Sequence, residues 1–271
     1  MPGIYATPEF FILAVMTTPA RPPRPVRTVS VVRTERLSPA MVRVVLGGDV
    51  LAELPDLTLT DHYVKLKFGD VTRTYTVRWF DREAREIAID FVIHGDEGLA
   101  GPWAAGAQPG DEISFVGPGG GWAPRADADI HLLVGDESAL PAVAAALDAL
   151  PVGARAEVFL EVGSAADQQH LRLTDATQVH WIRRDEHGMG YGEALTYAVQ
   201  TATLPTGDIE AFVHGNADMI KPLRHHLFNE MGVPREHVSI SGYWRTGLNE
   251  DGWQSSKHEF VAQMEAEQDG L

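Results

Sequence analysis

The chain has 271 residues, enough for two domains of ordinary size, and its 44% hydrophobic and 22% charged content is that of a globular protein. A formal net charge of −16 repels phosphate backbones and anionic lipid, which argues against nucleic acid and membrane surfaces as partners. With no cysteine, disulfides, iron–sulfur clusters and thiolate metal sites are excluded, so any redox chemistry needs a bound organic cofactor or a metal on other ligands.

Phe10 to Met16 is apolar, but a bilayer span takes ~20 residues and no Lys or Arg precedes the run. Residues 17–25, Thr-Thr-Pro-Ala-Arg-Pro-Pro-Arg-Pro, read as an extended Pro-rich stretch. Residues 1–25 are therefore expected to be a disordered or extended leader, and the protein to be cytoplasmic. From Val26 to Gly117 short apolar runs alternate with turn residues. Strands are predicted at Val26–Thr34, Met41–Leu46, His62–Phe68, Thr72–Trp79, Glu86–Ile93 and Glu112–Val116, rich in Val, Ile, Tyr and Thr. Six such strands suggest a closed antiparallel barrel over residues 26–120, with a short helix in the interruption at 98–105. Residues 117–129 carry four Gly and two Pro and mark the domain boundary.

Beyond it the rhythm changes. Strands are predicted at Ile130–Val134, Ala156–Val162, Val179–Arg183, Glu210–Val213 and His237–Ser241. Helices are predicted at Ala139–Leu150, Tyr191–Ala202, Ala217–Met231 and Trp253–Glu267. Strands alternating with helices predict a doubly wound parallel α/β domain over residues 130–271. The fold class is thus an antiparallel β-barrel followed by an α/β domain.

Two motifs stand out. Residues 73–78 read Arg-Thr-Tyr-Thr-Val-Arg. On a strand, Arg73, Tyr75 and Val77 share one face, and Thr74, Thr76 and Arg78 the other. A guanidinium that can grip a diphosphate beside a ring that can pack on a planar heterocycle suits a flat anionic dinucleotide. An edge strand of alternating polarity explains the segment equally well. Near the C-terminus stands Gly242-Tyr243-Trp244-Arg245-Thr246-Gly247. Together these match the patterns R-x-Y-T-x-R and G-Y-W-R-x-G, and the chain resembles the siderophore-interacting protein family, flavin-dependent reductases of ferric siderophores. His94-Gly95-Asp96-Glu97-Gly98-Leu99-Ala100-Gly101-Pro102-Trp103 and Gly135–Pro141 extend the resemblance from about Val26 to Trp253. Leu99 stands where the family usually has Pro. Barrel then doubly wound domain is also the plan of the ferredoxin-reductase class.

The resemblance implies FAD on the barrel and NADH or NADPH on the second domain. The cofactor set it implies is Arg73, Tyr75, Thr76, Val77, His94, Gly98, Leu99, Ala100, Trp103 and Trp244, with Asp136, Glu137 and Ser138 facing the nicotinamide nucleotide. A loop entering a helix at Gly98 offers free N–H groups to a diphosphate, although a barrel crossover with a structural Trp is the plain alternative. Asp136 or Ser138 could equally be a helix cap. His214-Gly215-Asn216 occupies a second strand-to-helix turn, with the same two readings. The resemblance also implies a small basic cluster for an anionic ferric siderophore, assigned to Lys65, Arg78 and Arg245. Glu161, an acid ending the second strand of the α/β domain, leans toward NADH, and Arg183-Arg184 weakens that lean. No fixed metal site and no serine-hydrolase elbow is recognisable.

The function expected is FAD-dependent reduction of ferric siderophores, with no side-chain acid or base required. The alternatives are a general flavin reductase, the reductase partner of another redox protein, and a siderophore-binding protein without catalysis. Reduced ferredoxin is the other electron donor considered, and a monomer is expected.

Overall fold

The computed structural model describes residues 25–94 and 98–269. Residues 1–24, within the expected leader 1–25, and residues 95–97 and 270–271 lie outside the described residues. The barrel strands are β1 (Val26–Ser38), β2 (Met41–Gly47), β3 (Tyr63–Phe68), β4 (Val71–Asp81), β5 (Glu86–Val92) and β6 (Glu112–Gly119). They close in the order β1-β2-β5-β4-β3-β6, every neighbour antiparallel. Closure depends on β1. Its first residues pair with β6 and the remainder with β2, and two register shifts let it bend between them. Alternate residues point inward, so Val29, Val31, Val44, Leu46, Leu66, Ile87, Ile89, Phe91 and Phe115 make one apolar interior. Helix α1 (Ala100–Gly106) adds Ala100 and Ala104 to that interior.

The second domain has strands β7 (Ile130–Gly135), β8 (Ala156–Val162), β9 (Thr177–Arg183), β10 (Ile209–Asn216) and β11 (Val238–Trp244), all parallel in the order β11-β10-β7-β8-β9. β7 and β8 are buried along their whole length, as strands covered on both faces must be. Helix α2 (Leu140–Ala149) and Trp122 cover the face bearing Leu133, Val158, Leu160 and Phe212. Helices α4 (Glu193–Thr201) and α5 (Ala217–His225) cover the other, with Met264 of α6 (Glu250–Asp269).

Two details differ from expectation. One-turn helix α3 (Arg184–His187) follows β9 and stops at Gly188, whose φ of 60° suits glycine. The helix predicted to reach Met231 ends its α-helical part at His225 and widens into a π turn over His226–Glu230. Pro222 inside it removes one N–H from the ladder.

Candidate functional site

Strand β4 runs along the domain junction, and its outer face meets the second domain three times. The Thr74 N–H donates to Glu250 Oε1 of α6 at 3.2 Å. The Thr76 and Tyr243 side chains are hydrogen-bonded to each other. Arg78 Nη1 lies 2.7 Å from Asp148 Oδ2 on α2. The predicted alternation therefore holds: Thr74, Thr76 and Arg78 look outward, while Tyr75 and Val77 join the barrel interior. Val77 is not available to a ligand as expected. Its side chain is 5% exposed and its N–H donates to the His62 carbonyl at 2.7 Å.

Tyr75 rests on Phe91, ring centroids 4.4 Å apart; Phe91 lies 5.6 Å from Trp103, and Trp103 5.9 Å from Phe68. This aromatic row fastens α1 to β4, so Trp103 serves as the packing anchor of the crossover. Burial pushes the Tyr75 hydroxyl pKa up, and Glu250 adds to the shift, so the phenol stays neutral. Arg73 sits at the rim. Its Nε lies 3.3 Å from Glu250 Oε2 and its Nη1 3.0 Å from Asp251 Oδ1.

At the start of α1, Leu99 is 43% exposed, and among the described residues no side chain caps the helix. Its first N–H groups lack intrahelical partners. Gly98 has φ 85° and open space where a Cβ would stand, and His94 is exposed. The Arg73 guanidinium and helix N–H groups without a described cap are the donor types that a dinucleotide's diphosphate takes.

The end of the parallel sheet is built differently. Asp136 is fully buried and accepts from the Ser138 N–H and hydroxyl on one oxygen, and from the Asn216 N–H (2.8 Å) and Trp244 Nε1–H (2.7 Å) on the other. Burial raises its pKa, against which these hydrogen bonds act. Gly215 is required here: its φ is 138°, and a Cβ would stand 2.7 Å from the Asp136 carboxyl carbon. Glu137 pairs with Arg184, whose Nη1 lies 2.9 Å from Oε2 and 3.2 Å from Glu161 Oε1. Glu161 is 0% exposed and also accepts the Gly192 N–H at 3.0 Å. Arg184 stacks over Tyr191, which meets Trp244 edge-on at 5.1 Å. Asp136, Ser138 and Trp244 thus hold one another and Glu137 holds Arg184, rather than facing a nucleotide with free polar groups as expected. Glu161 is likewise committed, which removes the ribose contact on which the lean toward NADH rested.

The three predicted cations do not converge. Arg78 is neutralised by Asp148 at the wall of a cavity of about 450 Å³ between β4 and α2. Arg245 pairs with Asp218 at 3.0 Å and lies over Phe260. Lys65 is exposed on β3 opposite Thr74, four residues and roughly 13 Å along the strand from Arg78.

Sequence reasoning missed other groups at the junction. Tyr243 lies inside the Gly242–Gly247 motif, of which only Trp244 and Arg245 are predicted as site residues. The Tyr243 ring lies 5.0 Å from His214, which stacks on Phe212 at 3.9 Å. His214 Nε2 meets Ser239 Oγ at 2.9 Å, and its buried Nδ1 has no partner among the described residues. Burial, then Lys257, pushes the His214 pKa down to about 3. Lys257 of α6 donates to Ser241 Oγ at 3.0 Å, and burial lowers its own pKa. Lys257 was invisible because nothing in a helix sequence tells which strand it will reach. Among the described residues no group of three His, Asp or Glu side chains could hold a metal, and no helix is long and apolar enough to cross a membrane.

Comparison with known proteins matches residues 30–71 and 69–122 to the siderophore-interacting FAD-binding domain, and residues 128–247 to the siderophore-interacting protein model. An uncharacterized protein of Mycobacterium tuberculosis is 42% identical over 90% of this chain and 98% of its own. The ferric vibriobactin reductase ViuB of Vibrio cholerae is 30% identical over 86% of this chain and 94% of its own. The NADPH-dependent ferric-chelate reductase of Escherichia coli is 30% identical over 80% and 92%. A siderophore utilization protein from T. fusca superposes with a TM-score of 0.75 at 36% identity, over 84% of this chain and 95% of its own. With both domains matched in order, the chain belongs to the siderophore-interacting protein family.

Proposed function

We propose that this protein is an FAD-dependent reductase of ferric siderophores that draws electrons from a nicotinamide nucleotide. The observation that carries the reading is β4: Arg73, Tyr75 and Thr76 lie in the stretch matched to the FAD-binding domain, at the junction between barrel and sheet. The names of the Vibrio and Escherichia relatives support the reaction class, and the latter name supports a nicotinamide donor. The reading includes a monomer working in the cytoplasm, with reduced ferredoxin as the alternative donor.

Arg73 and the first N–H groups of α1 would hold the FAD diphosphate. When bound, FAD supplies the conversion of a two-electron hydride into the single electrons that Fe(III) accepts. Thr76 and Tyr243 are the hydroxyls nearest the junction. Burial, with Asp61 and Asp136 nearby, raises the Tyr243 pKa, so its hydroxyl keeps its proton and works as a hydrogen-bond donor rather than a base. An anionic chelate needs positive charge not already spent on carboxylates. Among the described residues Lys65 and Lys257 form no ion pair, whereas Arg78 and Arg245 do. Of the three predicted cations, Lys65 is therefore the one proposed to meet the substrate. Hard oxygen ligands hold Fe(II) less tightly than Fe(III), so reduction alone loosens the metal.

Purified protein loaded with FAD and reduced anaerobically with NADPH or NADH tests this. Flavin absorbance should bleach, then return on adding a ferric siderophore as Fe(II) appears in a chelator trap. Reduced flavin that the chelate leaves unoxidised would remove the siderophore from the reading, and a protein that takes up no flavin would overturn it entirely.

A further inference from the structure

The cation that would grip the diphosphate already has partners, and they come from the opposite end of the chain. Arg73 Nε and Nη1 meet Glu250 and Asp251, the first two residues of α6, and Glu250 also accepts the Thr74 N–H of the same strand. The contact joins residues 178 positions apart. Helix α6 is fixed independently further along. Trp253 is 1% exposed, and a Cβ on Gly242 would stand 2.9 Å from its ring. Lys257 donates to Ser241, and Met264 is buried in the sheet domain's core. The helix is thus anchored on the second domain, and only its first turn reaches the barrel.

The two attachments differ in character. The Trp253 anchor is apolar and closed. Arg73 and Glu250 are mostly buried, but the Asp251 carboxylate is 67% exposed, so the Asp251 half of the contact is the one open to exchange with water or another anion. Two carboxylates bracketing one guanidinium present the charge and the paired oxygens that a diphosphate presents.

We propose that the acidic first turn of α6 is a latch that occupies Arg73 when flavin is absent and competes with the FAD diphosphate for it. The inference rests on the flavin reading above. FAD binding then requires Glu250 and Asp251 to release Arg73 while Trp253 keeps the rest of the helix in place. The latch sets the affinity for FAD below what Arg73 free of its carboxylates would give.

FAD dissociation constants from flavin fluorescence quenching decide this, measured on the wild-type protein and on the Glu250→Gln, Asp251→Asn double variant. Removing both charges should tighten FAD binding roughly tenfold, the worth of one to two exchangeable ion pairs. Hydrogen exchange in the wild-type protein gives a second readout: amides of residues 250–256 should exchange faster once FAD is bound. Equal or weaker FAD binding by the variant, or unchanged or slower exchange, overturns the latch and leaves the flavin reading standing. If neither protein binds FAD, the flavin reading itself fails. If the double variant does not fold, the wild-type exchange result decides alone.

Discussion

The rim of the barrel and the end of the parallel sheet both carry charged clusters, and they treat charge in opposite ways. At the sheet end Glu137, Glu161 and Arg184 are largely buried and satisfy one another, and Asp136 accepts four hydrogen bonds from its own surroundings. At the rim Arg73 and Glu250 are also mostly buried, at 15% and 26% exposed, but Asp251 is 67% exposed, so its contact with Arg73 is one that water and ions can replace. A buried cluster must be complete within the protein, because an unpaired charge there is costly. A cluster with one exposed member can give up that partner, and that is where a ligand's charge would be received.

Three substitutions would break or sharpen that contrast. The largest effect is expected for Arg184→Met, which leaves the carboxylates of Glu137 and Glu161 buried without a counter-charge. Urea unfolding should show a loss of about 3–5 kcal/mol. A loss below about 1 kcal/mol would mean that this cluster is as replaceable as the rim.

A middle effect is expected from pH. His214 titrates near 3 in the folded protein, far below the ordinary 6.5, because its ring is buried beside Lys257. Between those values the unfolded chain binds a proton that the folded chain does not, so stability falls as pH drops through the window. The slope from this residue is at most ~1.4 kcal/mol per pH unit. His214→Gln should flatten the stability curve from neutral pH down to about pH 5; an unchanged slope would show that His214 is not the titrating group.

The smallest effect is expected at the junction. Arg78 and Asp148 form one partly exposed pair, so Arg78→Gln should cost about 1 kcal/mol or less in denaturant unfolding. Because its charge is already spent on Asp148, the KM for a ferric chelate should stay within about twofold. A tenfold rise would return Arg78 to the substrate-binding set.

The motifs were legible in the sequence, but their partners were not. R-T-Y-T-V-R predicted a strand with Arg73 and Tyr75 on one face and Thr76 on the other, and β4 has that alternation. The segment contains no hint that Arg73 would meet carboxylates 177 and 178 residues away, or that Asp148 would hold Arg78. G-D-E-S-A-L was placed correctly between strand and helix. Its acids nevertheless proved to be bound inward, because burial depends on what packs above the turn.

Local rules acting on near neighbours therefore determined the barrel and the parallel sheet. Strand alternation, Gly and Pro turns and apolar periodicity are all written within a few positions of one another. Tertiary structure alone decided which charges are free, which are spent, and that the start of the last helix reaches β4. A charged side chain's role is set by its counter-charge and its solvent, and both are supplied by residues distant in the chain.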